Sequence, residues 1–177
     1  MPASWLSIRV DLVSGRGRDF WPRPGRIFAA TPTHTFAALG REIDRAFARW
    51  DHSHLHLFTL DEGTELTTAQ HWDGEPPDGA RNDVTARLSR LGPGERFAYV
   101  FDLGDGWTHL CSVGERHVDP LVQVGSVPAS PVPYAGWGDL PDQYGRRWYG
   151  DDGQTRAPKR PPRTVGDLPP ILPEWGR

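Results

Sequence analysis

Residues 5–13, WLSIRVDLV, alternate: Leu6, Ile8, Val10 and Leu12 fall on one face and Ser7, Arg9 and Asp11 on the other. A period of two is that of a strand with one face against a core. The next segment, SGRGRDFWPRPGR, carries two prolines that cannot donate to a central ladder, so an irregular edge is expected before RIFAA resumes as a strand. The period then changes. Phe36, Leu39, Ile43, Ala46, Phe47 and Trp50 recur at helical spacing, with Arg41, Glu42, Asp44, Arg45 and Arg49 on the other side and Thr33 or Thr35 as N-cap after Pro32. This predicts a helix over Thr35–Trp50 whose apolar face lies on a sheet.

After the helix, HLHLFTL and TELTTAQHW flank the turn DEGT and predict a hairpin. Residues 73–83 read as an exposed loop, VTARLSRLG as a short helix closed by Gly92, and Leu121–Val124 as one more strand. The fold class expected is α+β: a largely antiparallel sheet with one long helix packed on a face. Its strand-strand-helix-strand-strand start is also the order of a β-grasp, and a further hairpin and a Pro/Gly-rich tail follow. The chain divides into an α+β domain over 1–125 and an extension over 126–177 rich in Pro, Gly, Arg and aromatics. Within the extension GWGDLPDQYGRRWY is expected to pack on the domain and DGQTRAPKRPPRTVGD to be mobile, while LPPILPEW docks through Ile171, Leu172 and Trp175.

The extra hairpin is FDLGDGWTHLCSV, residues 101–113. With Asp105-Gly106 as a two-residue type I′ turn, Asp102 faces His109; with Gly104-Asp105 as the turn, Asp102 faces Trp107 instead. In the first register a carboxylate–imidazole pair forms, which raises the His109 pKa and makes a structural contact or a catalytic dyad. Cys111 follows on the same face, as an inert core residue or a thiol activated by His109. Asp102 and Asp105 can each stabilise the turn by accepting from nearby backbone amides, the reading preferred for Asp105.

Composition narrows the function classes. Cys111 is the only cysteine among 177 residues, so there is no intrachain disulfide and a reducing compartment fits. No apolar run approaches the ~18 residues of a membrane span and no signal sequence is visible, so a cytoplasmic protein without a membrane partner is expected. A net charge of −3 gives no global pull toward nucleic acid, and the arginine excess, with Lys159 the single lysine, fits a GC-rich genome.

Three constellations carry candidate chemistry. His52, His54 and His56 share a face if the strand has begun, about 6.6 Å apart. His54 and His56, with His109 or Asp102 from a neighbouring strand, are then candidate ligands for a divalent metal, the alternative being hydrogen-bonded residues of a polar sheet face or edge. Arg146, Arg147, Lys159 and Arg160, with the arginines near Phe20 and Trp21, interleave basic and stacking groups as single-stranded nucleic acid binding requires, or are solvated arginines on aromatics.

The order of IRVDLV, FWPRPGRIFAA, AFARWDHSHLHLFTL and FAYVFDLGDGWTH resembles the plasmid pRiA4b ORF-3-like family, which includes transposon passenger proteins labelled TnpR. The resemblance covers about residues 4–115. Its most specific parts are His54, Leu55, His56 and Phe58, and Asp102, Gly104, Asp105, Trp107 and His109. Leu57 stands where the family often has an acidic residue, and the tail GWGDLPDQYGRR departs from the family's pattern. The resemblance implies a protein of uncharacterised activity from a mobile element, with no established cofactor. The expected function is a non-enzymatic binding or accessory protein with a pocket of His54, His56, Asp102, Asp105, Trp107 and His109. A metal- or His/Asp-dependent hydrolase using the same pocket is the alternative, and binding of nucleic acid or a protein partner the third reading.

Overall fold

The computed structural model describes residues 4–160, 163–166, 168 and 169, so Ile171, Leu172 and Trp175 lie outside the described residues. The chain is sheet-rich with few helices, and the nine strands among the described residues form one mixed sheet in the order β6-β5-β4-β7-β8-β1-β3-β9, with β2 paired to β1 off this path. The strands are β1 Leu6–Gly15, β2 Arg18–Asp19, β3 Gly25–Ala30, β4 His56–Leu60, β5 Glu65–Thr67, β6 Arg81–Asn82, β7 Arg96–Phe101, β8 Trp107–Val113 and β9 Val132–Trp137. The helices are α1 Phe36–Ala46 and α2 Pro120–Val124. Pairing is antiparallel except between β5 and β6. Because β1 is antiparallel to both β3 and β8, it lacks the parallel central partner of a β-grasp, and that refinement is corrected.

Alternation along the strands decides what the sheet buries. In β1 Leu6, Ile8, Val10 and Leu12 are buried, and β8 alternates buried and half-buried residues throughout. These join Phe36, Leu39, Ile43 and Phe47 in one core, so α1 and the sheet share a single apolar interior. Gly40 sits at that junction: a Cβ there would lie 3.2 Å from the rings of Phe58 and Tyr99, so glycine permits the close approach of helix and sheet.

Helix α1 starts as expected, with the Thr35 hydroxyl accepting from the Ala38 amide at 3.1 Å. It stops four residues short of Trp50. Arg49 N–H donates to Asp44 O and Ala48 N–H to Arg45 O, and Ala48 has φ 61°, a Schellman closure with alanine in the left-handed position. The turn carries Arg49 into the interior, and Asp44 is buried as well, so two residues assigned to the polar side belong inside.

Other elements differ from the sequence pattern. Leu121–Val124 is helical, not a strand: the Asp119 carboxylate caps the Leu121 amide, Pro120 occupies the first turn and Gly125 closes it in the left-handed region. The short helix expected in VTARLSRLG is a single 3-10 turn, Leu88–Arg90. The exposed loop 73–83 ends in β6, and Asp83 is fully buried. Strand β9, at the sheet edge, had no alternating signal in PVPYAGW.

Candidate functional site

The β7–β8 hairpin decides where the candidate residues fall. Phe101 pairs with Trp107, Tyr99 with His109 and Phe97 with Cys111, so Asp102 faces neither His109 nor Trp107. Only this parity keeps Phe97, Tyr99 and Phe101 on the same buried face as Trp107, His109 and Cys111; either expected register would set buried aromatics opposite outward positions. The connection is a five-residue loop. Asp102 has φ 57°, and its Oδ1 accepts from the amides of Gly104 at 3.1 Å and Asp105 at 3.2 Å. Asp102, rather than Asp105, is therefore the carboxylate that stabilises the turn. Asp105 lies at the surface beside Arg16, 3.9 Å from its guanidinium.

His109 is fully buried. Its Nδ1 bonds to the Tyr99 carbonyl at 3.0 Å, and Phe47 packs on its ring edge to face. Burial, then the nearby Arg49 charge, hold its pKa down at about 3, the reverse of the rise expected from an Asp102 pair. Cys111 is buried too, and desolvation followed by Asp11 pushes its thiol far above the ordinary range.

The remaining histidines do converge. His52 and His54 precede β4, His56 opens it, and His71 comes from the 3-10 turn Ala69–His71; all four line a cavity of 320 Å³ with Asp44 and Tyr99. His54 and His56 are held by different devices. The Asp102 amide donates to Leu55 O at 2.8 Å, tying the 52–55 segment to the hairpin loop. Thr67 hydroxyl donates to His56 O at 2.6 Å. His56 Nε2 lies 2.5 Å from Oδ2 of Asp83, whose Oδ1 accepts from the Thr68 hydroxyl at 2.7 Å. The Asp83 carbonyl also accepts from the Ala37 amide, so the first turn of α1 fixes the loop that supplies this carboxylate.

His54 is positioned by the tail. Gln143, fully buried, accepts from the amides of Trp50 and Asp51 at 2.9 Å each and donates to Asp51 O at 2.9 Å. Tyr144 hydroxyl donates to Asp51 Oδ2 at 2.9 Å, which leaves its oxygen to accept from His54 Nε2. Ser53 and then Tyr144 hold the Asp51 carboxyl down at about 2. On its other side His54 Nδ1 is 3.5 Å from Asp102 Oδ2.

At the inner wall the Tyr99 hydroxyl bonds to Asp44, and burial raises the Asp44 carboxyl to about 8 against the opposing effects of Tyr99 and Arg49. Arg49 is buried, donates to Phe47 O at 2.9 Å and lies 3.9 Å over the Trp107 ring; burial lowers its pKa to about 10. Asp102 thus touches the histidine cavity through His54, whereas Trp107 lines a second cavity beside Arg16 and Phe20. His54 and His56 come together, and His109 does not join them: its ring is enclosed by Phe47 and Tyr99. Among the described residues no group of three or more His, Cys, Asp or Glu is arranged to hold a metal ion.

Of the arginines considered for nucleic acid, Arg146 is bonded to Asp142 at 2.7 Å and Arg147 to Asp151 at 2.9 Å, while Lys159 and Arg160 are exposed. Sequence reasoning missed His71, Asp83, Asp44, Tyr99, Gln143 and Tyr144. The signal for Asp44 was present: it stands four residues after Gly40 and beside Ile43, on the helix strip that meets the sheet.

The sequence profile of the plasmid pRiA4b ORF-3-like protein family matches residues 19–138, from β2 to just beyond β9. The chain belongs to this family. The match takes in the whole of α1 and the wall of the histidine cavity, but begins after β1, Arg16 and Arg18 and ends before the 141–146 segment. No curated protein matches the chain. Among solved structures it is similar to a protein of unknown function, MM3350, from Methanosarcina mazei Go1, with a TM-score of 0.61 and 18% identity over 82% of this chain and 76% of that one. At that identity the likeness concerns the fold. Among the described residues no helix is long and apolar enough to cross a membrane.

Proposed function

We propose that this family member is a non-enzymatic binding protein, accessory to a mobile element, that takes a small anionic ligand into the histidine-lined cavity. The observation that carries the reading is the convergence of His52, His54, His56 and His71, from two separate stretches of chain, on one 320 Å³ space. That volume suits a small molecule. Imidazoles and the arginines at the cavity edge, Arg41 and Arg45, offer donors to an anion. The one carboxyl in the wall, Asp44, is raised to about 8 and so is largely uncharged at neutral pH, which removes its repulsion of an anion.

Binding is favoured over catalysis because the hydroxyls near the histidines are already engaged. Ser53 donates to Asp51 at 2.5 Å and Thr68 to Asp83 at 2.7 Å, neither to an imidazole that would activate it. One observation favours the hydrolase as a second reading. With Nε2 of His56 held on Asp83, its Nδ1 is the nitrogen left to act as a base toward a bound water. Calorimetry of untagged protein against dicarboxylates and their monoesters, with product analysis after prolonged incubation, tests both. Saturable binding without turnover, weakened in His56→Ala, is the expected result. Turnover abolished by His56→Ala would establish the hydrolase, and elemental analysis showing stoichiometric zinc, manganese or iron would replace both with a metal site.

A further inference from the structure

A second cavity, of 460 Å³, opens where β1 and β8 meet the 141–146 segment, and it shares no wall residue with the histidine cavity. Its walls include Arg16, Arg18, Phe20, Trp107 and Arg146. The backbone of Gly15 is pressed against Trp107, where a Cβ would come within 2.1 Å of the ring. Phe20 stacks parallel on Trp107 with centroids 6.2 Å apart, and Arg18 lies 5.7 Å over Phe20. Next in the chain, Trp21 is 86% exposed, with Arg23 5.8 Å over its ring. Trp21 is not a wall residue, but it follows the wall residue Phe20 and presents, apart from Arg23, an exposed stacking surface.

Charge and hydrogen bonding point the same way. Behind Trp107 the buried Arg49 guanidinium feels, among the carboxyl groups, Asp44 most, then Asp142 and Asp102, while Asp142 also bonds to Arg146 and Asp105 lies near Arg16. Arg16 and Arg18, both exposed, supply the positive charge at the mouth. Among the described residues the Trp107 indole N–H is buried without an acceptor, and so, behind it, are Nε and Nη2 of Arg49, donors that are costly to leave unmet at the back of this wall.

We propose that this cavity binds a nucleotide, with the phosphate between Arg16, Arg18 and the Trp107 wall and the base stacked on Trp21. Guanidinium groups match phosphate oxygens, and an exposed indole stacks on any base. The same chemistry is offered by a free mononucleotide and by the end of a single strand.

Calorimetry on the full chain with adenosine 5′-monophosphate, a thymidine decanucleotide, adenosine and inorganic phosphate tests the site. At least one of the two nucleotide probes is expected to bind more tightly than adenosine or phosphate, and the tighter of the two identifies the source. Binding is expected to weaken as salt rises. Arg18→Ala and Trp21→Ala, both at exposed positions, are each expected to lower affinity by about tenfold. His56→Ala leaves nucleotide binding unchanged, so failure here is separable from failure of the histidine-cavity reading. Absence of binding by both nucleotide probes, or retention of full affinity by either cavity variant, overturns the proposal. So does loss in His56→Ala, which would assign the nucleotide to the histidine cavity. An equal loss in Arg90→Ala, whose arginine pairs with Glu62 outside the cavity, would mean unspecific charge attraction and overturns it as well.

Discussion

The hydroxyl of Tyr99 bonds to the carboxyl of Asp44, 2.9 Å from Oδ2 and 3.0 Å from Oδ1, where β7 meets α1. Both groups are buried, and burial lifts the Asp44 pKa to about 8 while driving that of Tyr99 well upward. An unfolded aspartate titrates near ~4, so folding favours the protonated acid. Stability from this group is present in full below ~4 and is lost as pH rises through about 8. Asp44→Asn is expected to flatten that decline, read as urea midpoints at about pH 5 and about pH 9. Tyr99→Phe, leaving the buried carboxyl short of a donor, is expected to cost about 1–3 kcal/mol.

His109 has the opposite sign. Its folded value of about 3 lies below the ~6.5 of a free imidazole, so unfolding gains a proton between the two. Stability is therefore lost as pH falls from ~6.5 toward about 3. NMR of the His109 ring is expected to show neutral imidazole, with no titration between about pH 7 and about pH 4.5. A midpoint near ~6.5 would contradict its enclosure by Phe47 and Tyr99.

Asp83 holds two partners at once, His56 at 2.5 Å and the Thr68 hydroxyl at 2.7 Å, and is fully buried. Asp83→Ala strands both and is expected to destabilise by about 1–3 kcal/mol. In combination with His56→Ala the loss is expected to be smaller than the sum, because the two residues share one interaction. Chemical denaturation of the two single variants and the double variant measures the coupling.

Gln143 makes three hydrogen bonds to Trp50 and Asp51 and is the clasp that holds the segment leading to His54. Gln143→Ala is expected to speed amide hydrogen exchange at Trp50 and Asp51 while leaving the core of β8 protected. Affinity for a ligand of the histidine cavity is expected to fall with it, through loss of His54 positioning.

Local pattern was enough to locate β1, β3, β4, β5, β7, β8 and the start of α1, because strand alternation and a threonine N-cap are written in neighbouring residues. The apolar faces also named the core: Ile8, Val10, Leu39, Ile43 and Phe47 are all buried. The buried parity of the last hairpin was legible too, since Phe97, Tyr99 and Phe101 must share a face with Trp107, His109 and Cys111, but the Asp-Gly turn signal pulled the register away. What no local pattern carried was the partner of each polar residue. His54 and His56 stood out in the sequence, whereas Asp83 and His71 acquire meaning only when loops 27 and 15 residues from His56 are folded onto it, and Gln143 only when the tail 92 residues on is folded onto Asp51. Asp44 and Arg49 looked like solvated charges until a left-handed Ala48 and the approach at Gly40 enclosed them. Apolar burial is set by periodicity along one segment; a buried charge is tolerated only through partners and neighbours that tertiary packing brings from elsewhere, and those are what placed the two cavities.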